Sequence, residues 1–474
     1  MSLGLAMPFA PELAVFGLAM LVLVIGLVRR GNAGQTAGWI TLGGLVAALV
    51  VACNAQEGAS LFGGSFVNDS LAIFAKELFL ASAALSVLGS LTQQQSAFKR
   101  RATEYYFVLL TSVLGMLVLA SARDLILLFV SFELMSIPLY VLTGFVKREE
   151  VASESALKFF LVGTASSAVI VYGMSFIFGV TGTTDIAAIP QALAQGHPLM
   201  LLGMTLLLAG LGFKIAAFPF HMWAPDAYEA ASTPFVAWLA VAPKAAGFVA
   251  IIRLYVEGVG AATLVWMPVV AAVAGMTIVT GNLMAIPQHN IKRLLAYSGI
   301  AHIGYMLIGL AAGSPEGVRG LVIYLVIYVA MTIGAFACVL CMRRPGGTVE
   351  DIDELSGLAQ NNLGMATVLA IVLFSMAGIP PLAGFFAKFY VFVAAVKEGL
   401  WALAVFGVLA SVVGAYYYVR IVKVMFFDEP KARFLDIPAK AGVIMALSAL
   451  FVLLYVVWPA PLVNSADAAA RSLF

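Results

Sequence analysis

One acidic residue and three lysines stand inside runs that are otherwise apolar. Glu133 lies in RDLILLFVSFELMSIPLYVL, Lys214 in LAGLGFKIAAFPFHMWAPDAYEAASTP, Lys244 in FVAWLAVAPKAAGFVA and Lys388 in FSMAGIPPLAGFFAKFYVF. An ionised side chain at the centre of a bilayer costs about 3 kcal/mol on insertion scales. Such residues pair, face a wet cavity, or both. Burial disfavours the charged form of a carboxyl and of an amine alike, so both groups come within reach of proton exchange near neutral pH. A carboxylate and three amines on four separate runs therefore point to proton transfer. The plainer alternative, that the charges only join helices, stays open for each. His302, in LLAYSGIAHIGYM, is a further candidate, because an imidazole can pass a proton between its two nitrogens; a hydrogen-bonded core histidine is the equal alternative. Lys158 follows Glu154 at i+4, and a local ion pair explains it as well as a transfer role does. His221 reads as a structural residue at a helix break, His197 as a loop residue and His289 as a helix-end residue.

These residues need a hydrocarbon layer around them. The chain has 474 residues, of which 62% are hydrophobic and 11% charged, against roughly 25% charged in a soluble domain. The apolar runs are each about 18–26 residues, the length of a helix crossing a bilayer core. Alternating strands of the membrane-barrel type are absent. The expectation is an all-α polytopic membrane protein with about 14 transmembrane helices, centred near Met20, Leu45, Leu80, Leu114, Glu133, Ile170, Leu208, Lys244, Ala274, Ile303, Val329, Ala377, Val408 and Leu450. The first run lacks a basic n-region and a cleavage site, and is expected to be a retained helix.

The basic residues test that count. With the N-terminus on the periplasmic side, odd-numbered loops face the cytoplasm. They hold fifteen Lys and Arg, including Arg29, Arg30, Lys99, Lys147, Arg148, Lys292, Arg343 and Lys440. The other side holds five: Arg123, Arg253, Arg319, Lys397 and Arg471. That asymmetry follows the positive-inside rule.

Two of the runs are interrupted. The seventh carries Lys214 before Pro219, and the twelfth carries Pro380 and Pro381 before Lys388. Proline frees backbone carbonyls, which a membrane tolerates only where protein or water takes them up. Interrupted helices in corresponding places of two halves point to an inverted repeat and its ion path. The expected organisation is a single membrane domain. Residues 1–98 form three N-terminal helices, 99–258 the first five-helix repeat, 259–428 the second, inverted one, and 429–474 the last helix and tail. Lys214 and Lys388 would be repeat counterparts.

Other signals are rejected. The C-x-x-C at Cys338 and Cys341 lies in an apolar helix without the further ligands a metal or iron–sulfur site needs. The GLG at Gly210 lacks the strand context of a dinucleotide site. A net charge of +2 gives no reason to expect nucleic acid. The chain itself is expected to bind no redox cofactor or nucleotide.

The runs around Glu133 and Lys214, together with SESALKFFLVGTASS and RLLAYSGIAHIGYMLIG, resemble the antiporter-like subunits of the respiratory NADH–quinone oxidoreductase (complex I) and of Mrp-type sodium/proton antiporters. The resemblance covers nearly the whole chain. KIAAFPFHMWAPDAYE and ALKFFLVG are most similar to the N-type branch. The M-type typically has Glu where Lys388 stands here, and the L-type a long C-terminal extension, whereas this chain ends in NSADAAARSLF. The resemblance implies a proton-translocating subunit of a membrane arm in the bacterial inner membrane. Glu133 would tune Lys214. Lys244 would pass charge along a hydrated axis with help from His302, and Lys388 would lead to the opposite side. Protons would run from cytoplasm to periplasm, driven by quinone reduction in other subunits. Flavin, iron–sulfur clusters and quinone would belong to those partners, and the neighbours would be other membrane-arm subunits, antiporter-like ones among them, and the lipid bilayer. A subunit of a sodium/proton antiporter, a membrane subunit of a membrane-bound hydrogenase and a scaffold without an ion path are the alternatives.

Overall fold

The computed structural model describes residues 7–29, 34–93, 96–145, 150–193, 198–345 and 347–474. Arg30, Lys147, Arg148 and His197 lie outside the described residues. The chain is almost entirely helical. Its main helices are α1 (Ala10–Val28), α2 (Gly34–Cys53), α3 (Ser70–Ser90), α4 (Ala102–Ser121), α5 (Leu125–Thr143), α6 (Glu150–Thr181), α7 (Pro198–Ile215), α8 (Trp223–Ala230), α9 (Thr233–Leu239), α10 (Ala242–Ile252), α11 (Thr263–Ala285), α12 (Ile291–Ala311), α13 (Pro315–Cys341), α14 (Leu363–Ala377), α15 (Ala383–Lys397), α16 (Trp401–Phe427), α17 (Ala439–Leu454) and α18 (Ala460–Arg471). A hairpin of β1 (Ala59–Leu61) and β2 (Phe66–Asn68) joins α2 to α3.

Among the described residues, 12 helical segments are long and apolar enough to cross a membrane, and α14 and α17 are shorter apolar helices. Every centre expected from the sequence falls in one of them. The twelfth run fails the length test for a physical reason: it is split into α14 and α15, of 15 residues each. The eighth run is continuous in length, Thr233–Gly258, but is assembled from α9, α10 and a π turn over Arg253–Gly258.

Burial sorts the helices by environment. The segment Thr233–Gly258 and α12 are buried throughout, whereas α2, α6, α11 and α16 carry many exposed large apolar side chains. A helix apolar all round belongs inside a bundle or in lipid. The two most enclosed segments are those that carry Lys244 and His302.

One local arrangement occurs twice, 166 residues apart. Asp124 caps α5 by accepting from the N–H groups of Ile126 and Leu127, and bridges to Asp185. Asn290 caps α12 by accepting from Lys292 and Arg293, and bridges to Asp351. The bridges use matching bonds: Leu125 N to Thr184 O and Ile186 N to Arg123 O in one, Ile291 N to Glu350 O and Ile352 N to His289 O in the other. Each helix is then pressed against its predecessor at a matching glycine. A Cβ on Gly115 of α4 would lie 2.4 Å from the Met135 backbone nitrogen of α5, and a Cβ on Gly281 of α11 would lie 2.4 Å from that of Ala301 in α12. Only glycine permits backbones to approach so closely.

Overpacking such a contact costs about 1–3 kcal/mol. Gly115→Val and Gly281→Val are therefore each expected to lower the amount of folded protein recovered from membranes and its melting temperature. Parent-level recovery and melting for both would show that neither contact holds its helix pair together.

Candidate proton-path site

Lys214 is placed by the end of a helix. α7 stops at Ile215, and the chain turns at Ala216, whose φ is +60°. The carbonyls released there are taken up locally. Gly212 O accepts from Ala217 N at 2.8 Å, and Phe213 O accepts from Ala216 N at 3.0 Å and from the Trp223 indole at 2.8 Å. Phe218 N donates to Thr277 Oγ1 of α11 at 3.0 Å. Lys214 occupies the last turn before this break and is 1% exposed. Its ammonium faces three aromatic rings: Phe132 at 5.3 Å and Tyr140 at 5.4 Å from α5, and Phe159 at 5.7 Å from α6. Ring faces attract cations without accepting a directed hydrogen bond, and Nζ has no hydrogen-bond partner among the described residues.

Glu133 is the residue after Phe132. Its carboxylate accepts from Ser167 Oγ of α6 at 2.5 Å. No direct ion pair joins it to Lys214 among the described residues; the Glu133 charge acts on the ammonium through space. Lys214 thus faces aromatic rings, and the Glu133 carboxylate faces the Ser167 hydroxyl.

Lys244 lies in the first turn of α10 and is also 1% exposed, 5.2 Å from the Tyr228 ring and without a hydrogen-bond partner on Nζ among the described residues. The Lys214 side chain packs on Gly247, one turn further along α10. On its other side, Lys244 meets Gly299 of α12, where a Cβ would stand 3.2 Å from Nζ and 2.8 Å from the Tyr328 hydroxyl. Tyr328 donates to Ala240 O, at the step between α9 and α10, at 3.2 Å.

Tyr328 leads to His302, with ring centres 5.5 Å apart. His302 is hydrogen-bonded at both nitrogens, Nδ1 to the Tyr324 hydroxyl at 2.8 Å and Nε2 to that of Tyr418 at 3.2 Å. Tyr418 continues to Ser298 at 2.5 Å. The neighbouring Tyr305 ring then lies 4.9 Å from Lys388 Nζ. Lys388, on α15, is held by the second break: it donates to Met376 O at 3.1 Å and Ala377 O at 3.0 Å, both at the end of α14, and to Ser411 Oγ at 2.8 Å. Gly378 ends α14 in the left-handed region, φ +88°. Lys214 precedes its break and Lys388 follows its own, so the two are served by opposite sides of their interruptions.

The structure thus brings Glu133, Lys214, Lys244, His302 and Lys388 into one sequence of neighbours across the bundle. Lys158 stands apart. It is half exposed, paired with Glu154 at 2.7 Å, and 3.9 Å from Asp226. Asp226 and Glu229 also bind Arg293, at 2.9 and 2.8 Å. The pair expected from i+4 spacing is present, inside a larger surface cluster. His221 sits just past the first break, its ring 5.8 Å from that of Phe218.

Several buried polar residues were not singled out by sequence. The tyrosine hydroxyls around His302 are one set; Tyr324 and Tyr328 are four apart on α13, a spacing that puts both on one face. Arg253, expected in an outer loop, is fully buried in the π turn. Lys292, expected in a cytoplasmic loop, is 3% exposed in the first turn of α12 and paired with Glu350 at 2.7 Å. Lys76 and Glu12, placed near helix ends, are both wholly buried and paired with each other. No group of three or more His, Cys, Asp or Glu that could hold a metal occurs among the described residues.

Comparison with known proteins agrees with this architecture. Residues 122–414 match the family described as NADH:quinone oxidoreductase/Mrp antiporter, TM. The chain is 45% identical to NADH-quinone oxidoreductase subunit N 1 of Rhizobium meliloti (strain 1021), covering 100% of this chain and 98% of the relative. It is 44% identical to the subunit N of Parvibaculum lavamentivorans, over 98% of this chain and 97% of that one. Among solved structures it is similar to a chain of respiratory complex I from Thermus thermophilus, at TM-score 0.81 and 31% identity over 96% of this chain and 98% of that one. It shares its fold with a chain of the Mrp complex from Dietzia sp. DQ12-45-1b, at TM-score 0.86 and 22% identity over 100% of this chain and 98% of that one. The chain belongs to the antiporter-like family of membrane subunits, in its NADH-quinone oxidoreductase subunit N branch.

Proposed function

We propose that this subunit moves protons across the membrane along the line Glu133, Lys214, Lys244, His302, Lys388. The chain is a membrane subunit of NADH-quinone oxidoreductase and part of the respiratory complex I assembly. The observation that carries the path is that three lysines and a histidine, all buried, follow one another through shared aromatic and glycine contacts, with a lysine at each of two helix breaks. Buried ionisable groups in a membrane mark ion pathways, and groups matched in chemistry relay protons.

In this reading Glu133 sets the charge balance at Lys214, Lys244 and His302 form the central relay, and Lys388 opens toward the other side. The recurring bridge and glycine contact support division into the repeats 99–258 and 259–428. Five crossings separate α5 from α12, so the repeats face opposite sides of the membrane. The basic asymmetry of the loops supports a periplasmic N-terminus and cytoplasmic uptake. Flavin, iron–sulfur clusters and quinone are assigned to partner subunits, whose quinone reduction supplies the driving force. An Mrp-type exchange function has behind it the shared fold and a family that joins both kinds of protein, whereas the 45% identity over the full chain is to an N-type subunit.

Lys214→Ala is expected to abolish this subunit's share of proton pumping and to slow coupled quinone reduction in an assembled complex. Liposome-reconstituted complex with a normal proton-to-electron ratio would sink the path. Lys388→Ala should impair pumping, and Lys388→Arg should retain only part of it, because a guanidinium holds its proton; unchanged ratios in both variants would remove Lys388. Lys158→Ala takes away only an exposed pair, which solvent screens, and is expected to lower pumping far less than Lys214→Ala. An equal loss would move Lys158 onto the path.

A further inference from the structure

A second set of buried charges lies where α1, α3, α4 and the end of the α9–α10 segment meet. Glu12, in the first turn of α1, and Lys76 of α3 are both 0% exposed, with Nζ 2.7 Å from Oε1. Lys76 Nζ also donates to Asn68 Oδ1 at 2.6 Å and lies 4.8 Å from the centre of the Phe66 ring. Asn68, in β2, accepts from Ser121 at 3.0 Å and donates to Pro8 O at 2.6 Å. The next residue, Asp69, takes both terminal nitrogens of Arg253 at 2.8 and 3.0 Å. Arg253 also binds Glu257 at 3.0 Å and Ala120 O at 2.9 Å, and Glu257 pairs with Arg123. Arg253 stands nine residues beyond Lys244 on the same segment, a rise of roughly 14 Å.

The members of this set differ in what they can do. Arginine does not release its proton, so Arg253 and Asp69 form a fixed anchor. Glu12 and Lys76 are a carboxyl and an amine, side-chain types that exchange protons. Stability alone is a poor reason for such a pair, since replacing a buried ion pair by apolar residues of similar volume is commonly neutral or stabilising. Glu12 is also incompletely used: Lys76 approaches Oε1, and Oε2 has no hydrogen-bond partner among the described residues.

We propose that Glu12 and Lys76 form a proton-holding site at the far end of the segment that carries Lys244, on the side of the bundle where α1 begins. The inference rests on the reading of this subunit as a proton carrier and adds a terminal in the three N-terminal helices. In the resting state the pair is ammonium and carboxylate. An arriving proton adds to the free Oε2 of Glu12, giving ammonium and carboxylic acid. Its release restores the ion pair, so each cycle binds one proton and gives one up, without redox change. Arg253 and Asp69 fix Asn68, and Asn68 fixes the Lys76 amine.

The test is the double variant Glu12→Gln/Lys76→Met in the whole complex reconstituted in liposomes, beside Lys214→Ala. The variant removes both charges together, leaving no unpaired buried ion. The expected result is a complex of normal subunit content whose protons moved per electron pair fall as far as in Lys214→Ala. A parent-level ratio would make the pair a mere clasp between α1 and α3 and overturn the proposal. Should the double variant not assemble, Glu12→Gln alone gives the same reading, because Lys76 keeps its bond to Asn68; failure of both to assemble assigns the pair to folding and also overturns it. A parent-level ratio in Lys214→Ala instead refutes the proton-path reading itself, and this site with it.

Discussion

A backbone that breaks inside a hydrocarbon layer must find donors for the carbonyls it releases, and the rest of this molecule is arranged around meeting that demand twice. An unpaired polar group in such surroundings costs several kcal/mol. At the first break the donors are an indole and nearby backbone amides, so Lys214 is left with ring faces instead of acceptors. At the second, the donor to the end of α14 is the lysine itself. The same constraint therefore yields two lysines in different chemical settings, one solvated by aromatic quadrupoles and one by peptide oxygens.

The enclosing helices explain why these side chains are so little exposed. The segment Thr233–Gly258 and α12 are buried along their apolar lengths, and Lys244 and His302 are 1% and 2% exposed. Small residues make room for them: Gly247 receives the Lys214 stem and Gly299 leaves space beside Lys244. Around His302 the polar partners are tyrosines, which bring a hydroxyl on an apolar ring and so add hydrogen bonds without adding charge.

Much of this was legible in the sequence, because the strongest signals were physical ones. A charged or imidazole side chain in an apolar run and a proline in the middle of a helix announce their positions without any fold knowledge, and the five residues of the proposed path were singled out from the first of these signals. The 12 long apolar helices were legible from run length, whereas the twelfth and fourteenth runs form shorter apolar helices among the described residues. What stayed hidden were residues whose role depends on depth. Arg253 and Lys292 sit at the ends of apolar runs, where a charge reads as a loop residue; the π turn and the cap at Asn290 draw both inward. Glu12 and Lys76 are paired across more than sixty residues of sequence, a contact no local spacing reveals. No direct Glu133–Lys214 ion pair occurs among the described residues, where the Lys214 amine faces three aromatic rings instead.

The lysine at the second break also keeps a count. A charged amine has three hydrogens, and Lys388 has three acceptors: two peptide oxygens and the Ser411 hydroxyl. Without its proton the amine offers two hydrogens and a lone pair, so one of those oxygens is left facing electron density in place of a donor. The end of α14 and the start of α15 are thus held in register by a clamp that takes up all three hydrogens of the charged amine.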